Sequence, residues 1–368
     1  MAREVRLERM HAAEVRAAMA VAPVAWVPWG AIEFHAEHLP FGTDGFTAQR
    51  TLELAAQRAG GVVLPWTALT IGTLHLEWTL RYDKDLVESA IRQTLVQLAD
   101  HGARVVVVHT GHGPLDLDHL IKRVCADVES SEAVPDDFRA YGLCYLELNA
   151  ALGTGLGTAW PVAVDHGSIM ETSWMMAIEP ELVHLDRLPD DPEASGIVGI
   201  YGPNPRTRAD ARVATEQIEA AASLLAERVT RLLAGDRLDT MADLRTFVER
   251  YWPESLELSG RAGAAGEAAV LVTNPAPVSR YLTSIDLAID GRRYEPADIG
   301  LRNTTVGETG VSISGDALAR EAGFYVRRQQ SAEIGPPDAI GSGAHEVELR
   351  LGLAGVTSTL LRGGVEFT

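Results

Sequence analysis

Four consecutive valines, Val105 to Val108, are the feature that most constrains the fold of this 368-residue chain. Neighbouring side chains of a strand point to opposite faces, so a strand without polar alternation has to be buried on both faces. Such strands occur in parallel sheets covered by helices, and helical patterns at 48–59 and 86–101 alternate with strand-like runs here. The sequence therefore predicts an α/β fold with three layers, in which helices cover both faces of a mostly parallel sheet.

A dense polar cluster lies directly behind another apolar run, at 24–27. The twelve residues from Glu33 to Asp44 contain two histidines and three acidic residues. If a strand ends in this stretch, Glu33 and His35 lie on one face, because side chains two apart point the same way, and Asp44 folds back after the turn at Pro40. This arrangement builds a divalent-metal pocket. The alternative is a solvated polar loop.

Two further polar clusters argue against the solvated loop. His112 follows the valine strand, and the segment 165–173, which contains His166 and Glu171, begins a helix predicted to end at Ile178. Ligands of open α/β sheets bind beyond the carboxyl ends of the strands. Three such clusters on one chain are hard to explain as core residues, so we expect them to form one chemical site.

Together the three clusters resemble the signature of the creatininase family, the creatinine amidohydrolases and their relatives. The first matches Gly-x-x-Glu-x-His-Gly-x-His-Leu-Pro-x-x-Thr-Asp at 30–44, except that Ala36 replaces a glycine. The second matches Asn-Gly-His-Gly, except that Thr110 replaces asparagine, and the third matches His-x4-Glu-Thr-Ser at 166–173. The resemblance spans roughly the first 235 residues and implies the creatininase fold.

The resemblance also implies a site for two divalent metal ions. In such a site Glu33 and His112 hold one ion, His35 holds the other, and Asp44 bridges them. Nitrogen and oxygen ligands without a thiolate suit zinc, manganese or ferrous iron.

One ligand of the family pattern is missing from this chain. Relatives carry an acidic residue two positions after the histidine that matches His112, and Pro114 stands there in this sequence. We predict that Glu171, a catalytic candidate in the third cluster, replaces the missing ligand, with Asp116 as the alternative. His166 matches the family's proton-shuttling histidine, a role that suits an imidazole with a pKa near neutrality.

The reaction implied by the resemblance is hydrolysis, in which a water shared by the two ions attacks a carbonyl carbon. The expected target is the C–N bond of a cyclic amide or a formamide. Two alternatives stay open. Some relatives open the ring of a keto-cyclitol or keto-sugar by hydrolysing a C–C bond, and a binding or scaffold protein would keep the fold without the chemistry.

Four side chains are predicted to face the substrate, namely His38, His75, Trp78 and Tyr201. The stretch 72–82 holds two of them and replaces the His-x-x-Phe-Pro-Gly-Thr pocket wall of relatives, without its proline and glycine. We therefore expect a substrate other than creatinine. For His38 and Tyr201 a structural role is the alternative.

The last third of the chain has a different pattern. We predict a metal-dependent hydrolase domain at 1–245, a linker at 246–266 that is partly glycine-rich, and a β-sandwich domain at 267–368, where apolar residues recur with a period of two. Asp290-Gly291 is a hairpin signal. The segment 287–299 resembles the small β subunit of C-glycoside deglycosidases, which would favour oxidised sugars or cyclitols as substrates. An oligomerisation or lid module is the alternative.

Composition argues against several kinds of partner. A formal charge of −19 without a Lys/Arg cluster is unsuited to nucleic acids and anionic membranes. The chain has no run of eighteen apolar residues and no signal peptide at its N-terminus, so we predict a cytoplasmic protein. Cys125 and Cys144 are expected to be inert thiols. The family resemblance implies a homo-oligomer, such as a hexamer or another closed ring.

Overall fold

A computed structural model describes residues 3–152, 165–240, 257–262, 268–274, 280–303, 312–315, 324–326, 330–335, 343–353 and 357–367. The helices are α1 (Ala12–Val21), α2 (Thr43–Ala59), α3 (Lys84–Asp100), α4 (Leu115–Glu129), α5 (Tyr145–Leu152), α6 (Ile169–Ile178) and α7 (Ala211–Leu233). The strands of the first sheet are β1 (Val24–Trp29), β2 (Val62–Val63), β3 (Val105–Thr110) and β4 (Arg139–Cys144). No helix in these ranges is long and apolar enough to span a membrane.

The first sheet confirms the predicted α/β architecture. Its order is β2-β1-β3-β4, and every pairing is parallel. Val105 and Val107 of β3 pack in one hydrophobic cluster with α2 and α7, while Val106 and Val108 pack in another with α3 and α4. The valine strand is thus buried on both faces, as its lack of polar alternation predicts.

The position of the first polar cluster differs from the expectation. β1 already ends at Trp29, so Glu33 and His35 lie in an irregular segment after the strand and do not share a strand face. The helix predicted from residue 48 begins at Thr43, which puts Asp44 in its first turn. The chain can start the helix there because an acidic side chain in the first turn interacts favourably with the helix N-terminus.

The C-terminal part is all-β, as predicted, and consists of two antiparallel sheets. One has the order β10-β9-β12-β6-β5 and the other β11-β7-β13-β14, with β8 added to β7. The strands are β5 (Glu257–Ala262), β6 (Ala268–Asn274), β7 (Arg280–Ile289), β8 (Arg292–Tyr294), β9 (Gly300–Asn303), β10 (Ser312–Ser314), β11 (Phe324–Val326), β12 (Gln330–Gly335), β13 (Gly343–Leu353) and β14 (Thr357–Phe367).

A hydrophobic core is shared by these two sheets. Val270, Leu301 and Ile334 come from the sheet that contains β6, and Leu287 and Leu349 come from the sheet that contains β7. The hairpin predicted at Asp290-Gly291 joins β7 to β8, and both residues have positive φ, 50° and 79°. β5 lies within the stretch predicted as a linker and pairs with β6. The division into domains stays a prediction.

Candidate metal centre

The three polar clusters meet at the carboxyl edge of the parallel sheet. They come from the segment after β1, the first turn of α2, the loop after β3 and the first turn of α6. Close backbone contact makes this possible: a Cβ on Gly111 would lie 2.1 Å from the carbonyl oxygen of Asp44. Only glycine at this position lets the loop after β3 approach the start of α2.

Glu33, Asp44 and His112 form one group of converging ligand atoms. His112 Nδ1 lies 3.1 Å from Glu33 Oε2 and 3.0 Å from Asp44 Oδ2. All three side chains are buried, and both of these carboxylate oxygens lack a hydrogen bond among the described residues. Atoms that converge without bonding one another fit a shared cation better than a side-chain network.

His35, Asp44 and Glu171 form a second group. His35 Nε2 lies 3.1 Å from Asp44 Oδ1 and 3.5 Å from Glu171 Oε2. The other ring nitrogen of His35, Nδ1, donates to the carbonyl of Glu33 at 2.9 Å, which leaves Nε2 as the ligand atom of the neutral ring. Asp44 belongs to both groups and contributes a different oxygen to each.

His166 belongs to a third group, with Glu33 and His35. Its Nε2 donates to the carbonyl of Phe34 at 2.8 Å, so the lone pair of the neutral ring lies on Nδ1. The ring stacks on that of His35, with centroids 4.1 Å apart. Its backbone forms a two-way bridge with Tyr201, and the two rings lie 5.6 Å apart.

The electrostatics of the centre favour added positive charge. Burial lowers the pKa of His35, but Asp44 and Glu171 outweigh it and raise the pKa to about 10. For His112, Glu33 and Asp44 outweigh burial in the same way and raise the pKa to about 10. In the absence of a cation, protons on two imidazoles therefore balance the carboxylates. A pair of divalent ions would supply the same balance.

His166 differs from those two histidines. Burial, together with the charge of His35, lowers its pKa to about 4, so its ring is neutral at physiological pH. Burial also raises the pKa of Glu171 well above its usual range, against the charge of His35. The centre thus combines two histidines whose pKa values are raised with one whose ring stays neutral.

The four side chains predicted to face substrate occupy different environments. His38 is fully buried, and its Nε2 lies 2.8 Å from Thr172 Oγ1. Half-buried His75 contacts the guanidinium of Arg81, and Trp78 is 80% exposed. Tyr201 is half-buried beside His166.

The structure also distinguishes the two candidates for the missing ligand, Glu171 and Asp116. Asp116 is buried in the first turn of α4, where burial raises its pKa, and it joins none of the ligand groups found in the described ranges. Pro114 caps α4. Glu171 is the acidic side chain that reaches His35 and Asp44.

Several groups that hold the centre together are backbone atoms, which the sequence analysis missed. The amide of Leu74 donates to Glu33 Oε1 at 2.5 Å, and the amide of Gly167 donates to Glu171 Oε2 at 2.6 Å. Each carboxylate keeps its position through that bond. No sequence signal reports such contacts, because every residue except proline offers the same amide.

Thr110 explains how the loop after β3 keeps its shape without the asparagine of the family pattern. Its hydroxyl accepts from the amide of His112 at 3.0 Å and lies 3.0 Å from the carbonyl of His112 as a donor. A threonine side chain can therefore close this turn locally.

Comparisons with known proteins identify the family of this chain. The family model described as creatinine amidohydrolase matches residues 8–229. A creatinine amidohydrolase of Pseudomonas putida is 27% identical over an alignment of 186 residues, and the match covers 47% of this chain and 70% of that protein. The resemblance predicted from the three clusters is thereby confirmed; that of the C-terminal part stays a prediction.

Solved structures show the same fold. A crystal structure of creatinine amidohydrolase is 22% identical with a TM-score of 0.53 and covers 62% of this chain and 98% of its own. A creatininase variant of the Zn-Zn type has the same identity and coverage with a TM-score of 0.54. A structure described as creatininase Mn is 21% identical, with a TM-score of 0.52 over 62% of this chain and 98% of its own.

Proposed function

Because this chain belongs to the creatininase family of hydrolases, we propose that it is a metal-dependent amidohydrolase that cleaves the C–N bond of a cyclic amide or a formamide. The observation that carries the proposal is the position of Asp44. Its two carboxylate oxygens belong to two separate groups of nitrogen and oxygen ligands, which is the arrangement of a two-ion site.

In this proposal Glu33, Asp44 and His112 hold one divalent ion, and His35, Asp44 and Glu171 hold the other. The donor set contains imidazole and carboxylate but no thiolate, which suits zinc, manganese or ferrous iron. Ions bound there would polarise a carbonyl group and lower the pKa of a water molecule. The relatives described as the Zn-Zn type and creatininase Mn support this choice of metals.

His166 is the proposed proton carrier. Its hydrogen bond to the carbonyl of Phe34 fixes the ring with Nε2 protonated, so Nδ1 is the atom that accepts a proton during the attack on the carbonyl carbon. The lowered pKa keeps this nitrogen unprotonated at neutral pH and favours return of the proton to the leaving nitrogen. The stacked ring of His35 holds the imidazole in place.

Elemental analysis of protein purified without added metal tests the two-ion site. We expect two ions per chain in the parent and one in Glu171→Ala, because that variant loses a ligand of the second group only. Glu37→Ala, which removes an exposed carboxylate from the same polar segment, is the matched control and should keep both. One ion in the parent, unchanged in Glu171→Ala, would contradict the ligand assignment.

Product analysis tests the reaction. Lactams, formamides and keto-cyclitols are supplied to the parent and to His166→Ala, and amine or formate release is measured beside keto-acid formation. Amine or formate that disappears in the variant supports the proposal. A keto acid without nitrogen release would favour ring opening at a C–C bond, and hydrolysis that is unaffected by the variant would refute the role of His166.

A further inference from the structure

A small chamber lies between the parallel sheet and the helices that cover its α2 and α7 face. Water can occupy about 20 Å³ of it, and one water molecule needs roughly 10–15 Å³ of such volume. Its walls include Thr47 of α2, His109 of β3, Trp174 of α6 and Gln217 of α7. We call it the His109 chamber. None of the six side chains of the metal centre lines it.

His109 brings an unusual polar group into this chamber. The side chain is fully buried, and neither ring nitrogen has a hydrogen-bond partner in the ranges that the structure describes. Burial lowers its pKa to about 4, an effect that the carbonyl of Leu143 partly offsets, so the ring is neutral. A neutral imidazole has one N–H donor and one acceptor nitrogen; the Leu143 carbonyl interacts with the N–H, and the acceptor nitrogen remains to be satisfied.

Gln217 brings a second polar group from the opposite wall. Its Oε1 accepts a hydrogen bond from Trp174 Nε1 at 3.2 Å, which fixes the orientation of the amide. Its Nε2 is buried and has no partner among the described residues. A buried donor without an acceptor is costly, so native structures normally satisfy it.

We propose that the His109 chamber binds one ordered water molecule that accepts a hydrogen bond from Gln217 Nε2 and bonds to a ring nitrogen of His109. The walls select this ligand. They offer no carboxylate to hold a cation, and an apolar guest would leave the imidazole and the amide unsatisfied. The volume that water can occupy suits one water molecule. The bound water joins β3 to α7 across the chamber, and this inference does not depend on the proposed function.

A crystal structure of the full chain that shows ordered water is the direct test. We expect one density peak at hydrogen-bond distance, about 3 Å, from both Gln217 Nε2 and a ring nitrogen of His109. A chamber without such a peak, or a Gln217 amide turned to bond elsewhere, overturns the proposal.

Thermal unfolding of variants tests the coupling between the two side chains. His109→Leu and Gln217→Met should each lower Tm by roughly 2–8 °C, because each leaves a buried polar group without its hydrogen-bond partner. The double variant should lose clearly less than the sum, since the water then has no partner on either side to leave unsatisfied. The loss of the Trp174 Nε1 bond is common to Gln217→Met and the double variant, so it cancels in the comparison. Losses that add would overturn the proposal.

His119→Leu is the matched control for this cycle. His119 is a half-buried histidine on α4 that does not line the chamber, so its loss should add to that of Gln217→Met. Metal content is measured in the same samples. If the parent holds no ions, the proposed function fails while the unfolding cycle still decides the chamber.

Discussion

Two clusters of buried ionisable side chains in the N-terminal part of the chain differ in how their charge is balanced. In the metal centre, the ion pairs found in the described ranges all involve histidine. The second cluster, which we call the Lys122 cluster, consists of Lys122, Asp118 and Glu147. Lys122 Nζ lies 2.8 Å from Glu147 Oε2 and 3.4 Å from Asp118 Oδ1, and it donates to the carbonyl of Gly142 at 2.8 Å.

The two clusters differ in whether they contain a cation of their own. The ammonium group of Lys122 is a permanent cation, and although burial lowers its pKa, Asp118 and Glu147 outweigh burial and raise it. The metal centre holds positive charge only by taking up protons. The Lys122 cluster supplies one cation of its own, and burial together with Asp118 raises the pKa of Glu147 well above its usual range, which reduces the negative charge left to balance. A cluster built from carboxylates and imidazoles alone has no such internal cation and can take one from solution.

The largest expected effect is the loss of both ions from Asp44→Ala. This variant removes the carboxylate common to both ligand groups, so metal content should fall from two ions per chain to none, and hydrolysis should fall below detection. Asp118→Ala is the control, because it removes an equally buried carboxylate from the Lys122 cluster. It should leave the metal content per folded chain unchanged. Full metal retention in Asp44→Ala would erase the distinction between the clusters.

The second-largest expected effect is the loss of folding stability in Lys122→Met. Removing the internal cation leaves two buried carboxyl groups without a counter-charge, so the free energy of unfolding should fall by about 3–5 kcal/mol. Urea titration measures it, and ion content per folded chain should not change. Arg231→Met breaks the exposed pair with Asp236 and should cost at most about 1 kcal/mol. Equal losses in the two variants would mean that the cluster contributes no more than a surface pair.

A smaller effect is expected from pH in the chelated protein. His35 and His112 have pKa values of about 10 in the folded chain and near 6.5 when unfolded. Raised pKa values stabilise the fold fully below the unfolded value, and that contribution is lost as pH rises through 6.5 to 10. The free energy of unfolding with EDTA should therefore fall, by roughly 1–3 kcal/mol between pH 7 and 8. With metal bound, the fall should be absent. A flat profile with EDTA would show that protons do not replace the ions.

The smallest expected effect involves backbone strain in the wall of the metal centre. Trp78 is exposed and has φ of 53°, a left-handed conformation that disfavours large side chains. Trp78→Gly should raise the free energy of unfolding by about 0.5–1 kcal/mol and, if Trp78 contacts substrate, raise KM. Glu77→Gly is the control. Glu77 is exposed in the same loop without positive φ, so glycine should destabilise there.

The sequence predicts much of the candidate metal centre because histidine and acidic residues are recognisable as metal ligands from their residue type. Residue type and family spacing predict five ligand side chains. The structure brings all five together: Glu33, His35, Asp44, His112 and Glu171. The buried valine strand was equally clear, since four apolar side chains in succession leave a strand no polar face.

The remaining features depend on tertiary contacts that leave little trace in the sequence. The Lys122 cluster brings together residues from α4 and α5 that look like ordinary helix polar positions. The early start of α2 and the early end of β1 are accompanied by close packing of Gly30 against Gly45, where a Cβ would come within 2.5 Å. Propensity rules for single segments do not include such contacts.

The hydrogen bond from Leu74 to Glu33 has a consequence for exchange of the ions with solution. Glu33 Oε1 is held by the stretch 72–82, and Oε2 belongs to the candidate ion site, so one carboxylate joins the wall to the ion. Thermodynamic linkage then applies in both directions. An ion that binds more tightly makes this stretch harder to open, and a ligand that opens it weakens the binding of the ion.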